Sequence, residues 1–230
     1  MHSVRRVHGD RNVCTSAERQ LVHSVCRIHG RRPVCTSAGR RVVTPAVAAA
    51  ELAAWQPPDE AQRALKHALL AFLDARPTDA CDRSCVPGHL TASALVLDAA
   101  GEHVLLTLHP RVGRWIQLGG HCEPGDATLR AAALREATEE SGIAGLEIAA
   151  EPLHIDVHPV TCSLGVPTRH LDVRYLLRAP AGAVPVCSAE SDDLRWWPLA
   201  ALPPDSDTVP TMASLSGRQG RHGPSRRQRR

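Results

Sequence analysis

Helical spacing of apolar positions begins at Ala46. Residues 46–55 form an Ala-rich run, Pro57, Pro58 and Asp59 interrupt it, and in residues 60–74 Leu65, Leu69, Phe72 and Leu73 recur at i, i+4, i+7 and i+8. That stripe predicts a second helix with one packing face, started by Pro58 and Asp59. The period then shortens. Residues 91–97 and 103–108 are short apolar runs on either side of a turn at 98–101, which predicts a hairpin. Residues 115–118 run into Gly119 and Gly120, and residues 154–158 and 170–177 alternate like half-buried strands. Residues 194–198 predict a last strand and residues 199–202 the start of a helix, after which periodicity stops.

Helices, strands, one central amphipathic helix and more strands imply an α/β domain with a mixed β-sheet. The expected organisation is a repeat-containing extension at 1–44, a helical lead-in at 45–87, the main domain at 88–203 and a basic, disordered tail at 204–230. The segment from His2 to Arg19 recurs from His23 to Arg40. Two copies are too few for a solenoid. His23, Cys26, His29 and Cys35 have the chemistry of zinc ligands, but the first copy has Arg5 in place of Cys26, so a disordered extension is the expected state.

Composition narrows the picture. The chain is 43% hydrophobic but only 3% aromatic, with one Phe and one Tyr, so its core must be built from Leu, Val, Ile and Ala. The net charge of +3 is concentrated in Arg-rich ends. A middle that is not basic argues against a nucleic-acid-binding domain and leaves the tail as the one route to such a partner. No stretch reaches the roughly 20 apolar residues of a membrane helix, and no apolar run follows the first residues as in a signal peptide. A soluble, cytoplasmic protein with reduced thiols among its eight cysteines is expected.

The chemistry concentrates between Gly119 and Ile143. Gly119, Gly120, Glu123, Pro124, Gly125 and Asp126 predict a loop, with Asp126 at the start of an Ala-rich helix that Gly142 ends. On that helix Glu136 lies three residues before Glu139 and four before Glu140, so three carboxylates crowd one region of surface. Such crowding is unfavourable unless cations sit there, and clustered carboxylate oxygens are what Mg2+ or Mn2+ prefers. Arg135 can pair with Glu139 at i, i+4 and hold it in place. The alternative is a solvated charged face.

The segment resembles the Nudix box, G-x5-E-x7-R-E-U-x-E-E-x-G-U with U apolar. Gly120 takes the first glycine, and Arg135, Glu136, Ala137, Glu139, Glu140, Gly142 and Ile143 fill the second half in unbroken register. The first half departs: Asp126 replaces the glutamate, and eight residues rather than seven separate it from Arg135. The resemblance covers about residues 88–203. It implies an α/β/α sandwich with a loop-helix-loop motif and a pyrophosphohydrolase that cleaves a phosphoanhydride in a nucleoside diphosphate linked to another group. It further implies Mg2+, with Mn2+ as a substitute, held by Glu136, Glu139 and Glu140, and a catalytic role for Glu136, Glu139 and Arg135. Family members are often dimers. The competing readings are a non-catalytic Nudix-fold nucleotide-binding or regulatory module, and an isopentenyl-diphosphate isomerase-like enzyme.

Outside the box, Glu190 is a candidate distant carboxylate and Arg174 a candidate phosphate contact. His154, Asp156 and His158, like His170, Asp172 and Arg174, alternate along strands and are expected to face outward. Trp115, Trp196 and Trp197 read as core or rim packing. Cys81 and Cys85, near His89, read as ordinary thiols because a fourth ligand is missing, and Cys122 has no basic neighbour to activate it.

Overall fold

The computed structural model describes residues 42–162, 164–188, 191–206 and 208–219. The N-terminal repeat and Glu190 lie outside these residues. The first described elements are two helices, α1 (Pro45–Ala54) and α2 (Glu60–Ala75). The Thr44 hydroxyl accepts the Val47 N–H at the start of α1, and the Asp59 carboxylate accepts the Gln62 N–H at 2.9 Å at the start of α2. Both satisfy amides that the first turn leaves without partners. At the other end of α1, the Lys66 ammonium donates to the carbonyls of Ala53 and Trp55 at 2.8 and 2.6 Å. A cation is favoured at that negative helix end.

Seven strands follow: β1 (His89–Leu97), β2 (His103–His109), β3 (Arg114–Ile116), β4 (Leu118–His121), β5 (Glu147–Thr161), β6 (Pro167–Arg178) and β7 (Asp193–Pro198). The helix α3 (Leu129–Ser141) separates β4 from β5, and α4 (Val209–Gln219) comes last. The sheet path is β3-β2-β1-β6-β5, with β4 on β1 and β7 on β2. Only the central β1–β6 pair is parallel among these pairings, so the sheet is mixed as expected. One edge of β1 divides its partners: Val96 and Leu97 pair with β2, while residues 91–94 pair with β4.

Every residue of β1 is buried, because the strand is covered on both faces. Leu90, Ala92, Ala94 and Val96 belong to the core beneath α1, α2 and α3, together with Leu52, Trp55, Leu69, Leu73 and Ala133. Leu95 and Leu97 face a second core with Val104, Leu106 and Leu153, closed by Val209, Met212 and Leu215 of α4. The strand period of two thus sorts one segment into two hydrophobic layers, and helices on both faces make the α/β/α arrangement.

Two expectations fail at the C-terminal end. Residues 199–202 form turns rather than a helix, with the Leu199 N–H bonded to the Glu102 carbonyl at 2.9 Å beside the β2 hairpin. The stretch from 204 is not all disordered tail, since α4 packs three apolar residues, spaced at i, i+3 and i+6, onto the second core. A helix this short and this poor in apolar residues is held by tertiary burial, which local propensity does not report.

The strand β5 stands at the sheet edge and leaves backbone groups unpaired on its outer side. Gln62 of α2 answers this at one point: its amide nitrogen donates to the Ile155 carbonyl at 3.0 Å and its amide oxygen accepts the Ile155 N–H at 2.7 Å. A buried side chain with both a donor and an acceptor is matched to a backbone pair, so neither partner is left unsatisfied. Among the described residues, no helix is long and apolar enough to cross a membrane.

Candidate active site

The two glycines of the box are strand residues of β4, not loop as expected: Gly119 pairs with Ser93 and Gly120 with Ala92 of β1. Their lack of side chains is required by what lies on either side. A Cβ on Gly119 would stand 2.5 Å from the Ser93 Cα, and one on Gly120 would stand 2.6 Å from a carboxylate oxygen of Glu136. The missing side chain at Gly120 allows α3 to settle closely on the strand, and the one at Gly119 leaves room for Ser93 of β1.

The loop proper runs over residues 122–128. Asp126 is not the N-cap; Thr128 is, its hydroxyl accepting the Ala131 N–H at 3.0 Å. The extra residue between Asp126 and Arg135 is therefore taken up in the bend before Leu129, and α3 keeps its register. Gly142, at φ 65°, ends the helix in the left-handed conformation that glycine adopts without strain. The start of α3 has a second anchor. The Glu51 carboxylate of α1 accepts the N–H groups of Leu129 and Arg130 at 3.0 and 3.1 Å, and the Tyr175 hydroxyl at 2.6 Å. An anion there complements the positive helix end.

The face of α3 turned to the sheet carries Leu129, Ala132, Ala133, Glu136, Ala137, Glu140 and Ser141, all buried. Two of the three box carboxylates therefore occupy core-facing positions, beside alanines small enough to allow close approach. Glu140 accepts the Gly119 N–H at 3.2 Å. Glu139 points away, with a side chain 60% exposed.

Arg135 joins these groups. Its guanidinium donates to Asp126 at 3.1 Å, to Glu136 at 3.0 Å, to Glu139 at 2.8 Å and to the His121 carbonyl at 2.9 Å. Burial works against its charge, but the bond to Asp126 and the neighbouring Glu136 outweigh that and hold the guanidinium charged. Asp126 also accepts the Glu123 N–H at 2.8 Å, so it braces the loop against Arg135. Burial pushes the Glu136 carboxyl up to about 7; Arg135 opposes the shift, and Glu139 and Glu123 add to it. A buried carboxyl carrying that load gains from a nearby cation.

Arg174 belongs elsewhere. It is 1% exposed, donating to Asp172 at 2.7 Å, to Asp156 at 2.9 Å and to the Thr208 hydroxyl. All three guanidinium nitrogens are engaged inside the fold, so it has the geometry of an internal tie and not of a phosphate contact. Despite complete burial, Arg174 and the hydroxyls of Ser93 and Thr91 hold Asp172 below the usual carboxylate range. Of the residues read as outward-facing on β5 and β6, His154, Asp172 and Arg174 are buried and Asp156, His158 and His170 are half-buried. Cys122 is half-buried, and burial pushes its thiol upward, consistent with an inert group. Trp115 and Trp197 pack edge to face at 5.2 Å, with Arg195 over Trp115 at 5.5 Å, as rim packing.

One constellation escaped the sequence. His89 of β1, His121 of β4, His170 of β6 and Cys162 just past β5 offer ligand atoms that all lie within 4.8 Å of one another. Among the described residues it is the one His, Cys and carboxylate set drawn that tightly; the box glutamates, with Glu139 held by Arg135, are not. Strand register is the reason for the convergence, since His170 lies opposite His89 and His121 opposite Thr91.

Comparison with known proteins gives a match to the family model of the NUDIX domain over residues 87–216. No curated protein matches the chain. Among solved structures, a NUDIX-family hydrolase from Clostridium perfringens is 22% identical, covering 56% of this chain and 96% of its own at a TM-score of 0.42. The dihydroneopterin triphosphate pyrophosphohydrolase of E. coli is 18% identical, covering 56% of this chain and 92% of its own at a TM-score of 0.45. An Ap4A hydrolase from C. elegans is 22% identical, covering 57% and 95% at a TM-score of 0.40.

Proposed function

From the premise that this chain belongs to the NUDIX domain family, we propose that it is a pyrophosphohydrolase that cleaves a nucleotide-like diphosphate with the help of a divalent cation. The observation that carries the reading is the arrangement on α3. Glu136 and Glu140 press against the glycine strand, Glu139 reaches outward, and Arg135 ties the helix to the loop through Asp126.

Glu136, Glu139 and Glu140 would hold the cation, Mg2+ or Mn2+. When bound, such an ion neutralises diphosphate charge and lowers the pKa of water toward neutrality. The protein's own part is positional. Arg135 fixes Glu139 from four residues away and anchors itself on the backbone of His121, so the carboxylate group does not splay under its own repulsion. Glu139, the exposed member, would take a proton from water at the surface of the site. Substrate choice lies with loops outside the box, as expected of a fold that hosts many activities.

Glu139→Gln and Glu140→Gln are each expected to lower Mg2+-supported hydrolysis of a nucleoside-diphosphate panel by about 100-fold or more. Their circular dichroism should stay that of the parent. Unchanged rates in both variants would remove the cation site from these residues.

A further inference from the structure

We propose that His89, His121, Cys162 and His170 bind a zinc ion in a closed, four-ligand site separate from the box carboxylates. The donor set is one that zinc favours, three imidazoles and one thiolate. The spacing is the second argument. The Nε2 atoms of His89 and His121 are 3.2 Å apart, and the Cys162 Sγ lies 3.3 Å from His121 Nε2 and 3.8 Å from His89 Nε2. With Zn–N near 2.0–2.1 Å and Zn–S near 2.3 Å, the edges of a tetrahedron are about 3.3 Å between nitrogens and about 3.6 Å between nitrogen and sulfur. The three separations lie within about 0.3 Å of those edges.

His170 supplies an independent observation. Its Nε2 is buried and has no hydrogen-bond partner, although its ring lies 5.1 Å from those of both His89 and His121. A buried nitrogen without a partner is costly, and one that lies beside other ligand groups is one a metal can use. Burial pushes His121 down to about 3 and His170 down to about 4, with the neighbouring histidines adding to both shifts. Burial lowers His89 as well. His89 Nδ1 meets the Cys85 carbonyl at 3.5 Å, a contact that orients the ring from behind.

The hard cation of the box prefers oxygen, so each site selects a different ion. The sites are linked through one residue. His121 would ligate with its ring while its carbonyl accepts from Arg135, so the zinc would fix the end of β4 on which the box arginine rests.

The full chain, loaded with Zn2+ and desalted, is expected to retain about one zinc per chain by elemental analysis and to melt several degrees higher than after chelation. Co2+ in its place should give the visible bands of a tetrahedral site with a thiolate charge-transfer band. Cys162→Ser should abolish that band, and His170→Ala should lose the metal. Cys26→Ser with Cys35→Ser, and Glu139→Gln, should retain it. Zinc kept by both the Cys162 and His170 variants would place the ion elsewhere and overturn the proposal. Should those variants fail to fold, the parent decides: no retained zinc, or a cobalt spectrum without a thiolate band, overturns it equally. None of these readouts depends on hydrolysis, so the box reading stands or falls separately.

Discussion

Replacing Arg174 with methionine is expected to destabilise the protein by about 3–5 kcal/mol, measured by urea unfolding at pH 7. The cause is the carboxylate left behind. Asp172 is completely enclosed and loses its guanidinium partner, keeping only Ser93, Thr91 and the more distant Gln117 as donors. The dependence on pH gives the effect a signature. In the parent, Asp172 is held below its unfolded pKa, so its contribution is present above roughly pH 4 and is lost as pH falls through the folded value. Without Arg174 the carboxyl becomes easier to protonate, so the gap between variant and parent should narrow in acid. A variant that keeps the parent's stability but shows a raised KM would restore Arg174 to the substrate.

Glu136→Gln should move activity and stability in opposite directions. Hydrolysis is expected to fall by about 100-fold or more, as for the other box carboxylates. At pH 8 without divalent ions, however, the variant should be more stable by about 1–2 kcal/mol. Glu136 is a carboxyl raised from 4.5 to about 7, so its ionisation opposes folding, and stability declines as pH climbs between those values. Glutamine keeps the shape without the charge. Some of the gain is offset because Arg135 exchanges a charged acceptor for a weaker, neutral amide oxygen. At pH 4 the difference should vanish, and saturating Mg2+ should stabilise the parent more than the variant. A variant less stable than the parent at pH 8 would mean that the Arg135 contact outweighs the burial cost.

The box was legible because its logic is local. Arg135, Glu136, Glu139 and Glu140 sit within two helical turns, and the i, i+4 pairing of Arg135 with Glu139 can be read from spacing alone. The role of Asp126 was less visible, since an acid ahead of an Ala-rich run reads as a cap, while the bend to Thr128 frees it to hold Arg135. The alternation on β5 and β6 reads as strand, which both segments are, but it also reads as a polar face turned to solvent. That rule holds for a sheet open on one side, and here β6 is an interior strand paired on both edges while α4 covers the second face. The His and Cys cluster was illegible for a stronger reason. Its members come from β1, β4, β6 and the end of β5, and only the parallel register of β1 with β6 brings His89 opposite His170. No window of sequence contains that pairing.

The two lead-in helices lie outside the family match, which begins at residue 87, yet they are fastened to what that match covers. Glu51 holds the start of α3, Gln62 holds the edge of β5, and Leu52, Trp55, Leu69 and Leu73 complete the core above β1. The stretch that is inherited as a recognisable module is therefore smaller than the stretch that folds. A chain trimmed to the module would bare the apolar surface that α1 and α2 cover and is expected to aggregate on expression. Trimming should stop before Val42, because Val43 is buried and Thr44 caps α1. The inherited boundary and the physical one differ by the length of a helical hairpin, and a graft or fusion of this domain has to respect the second.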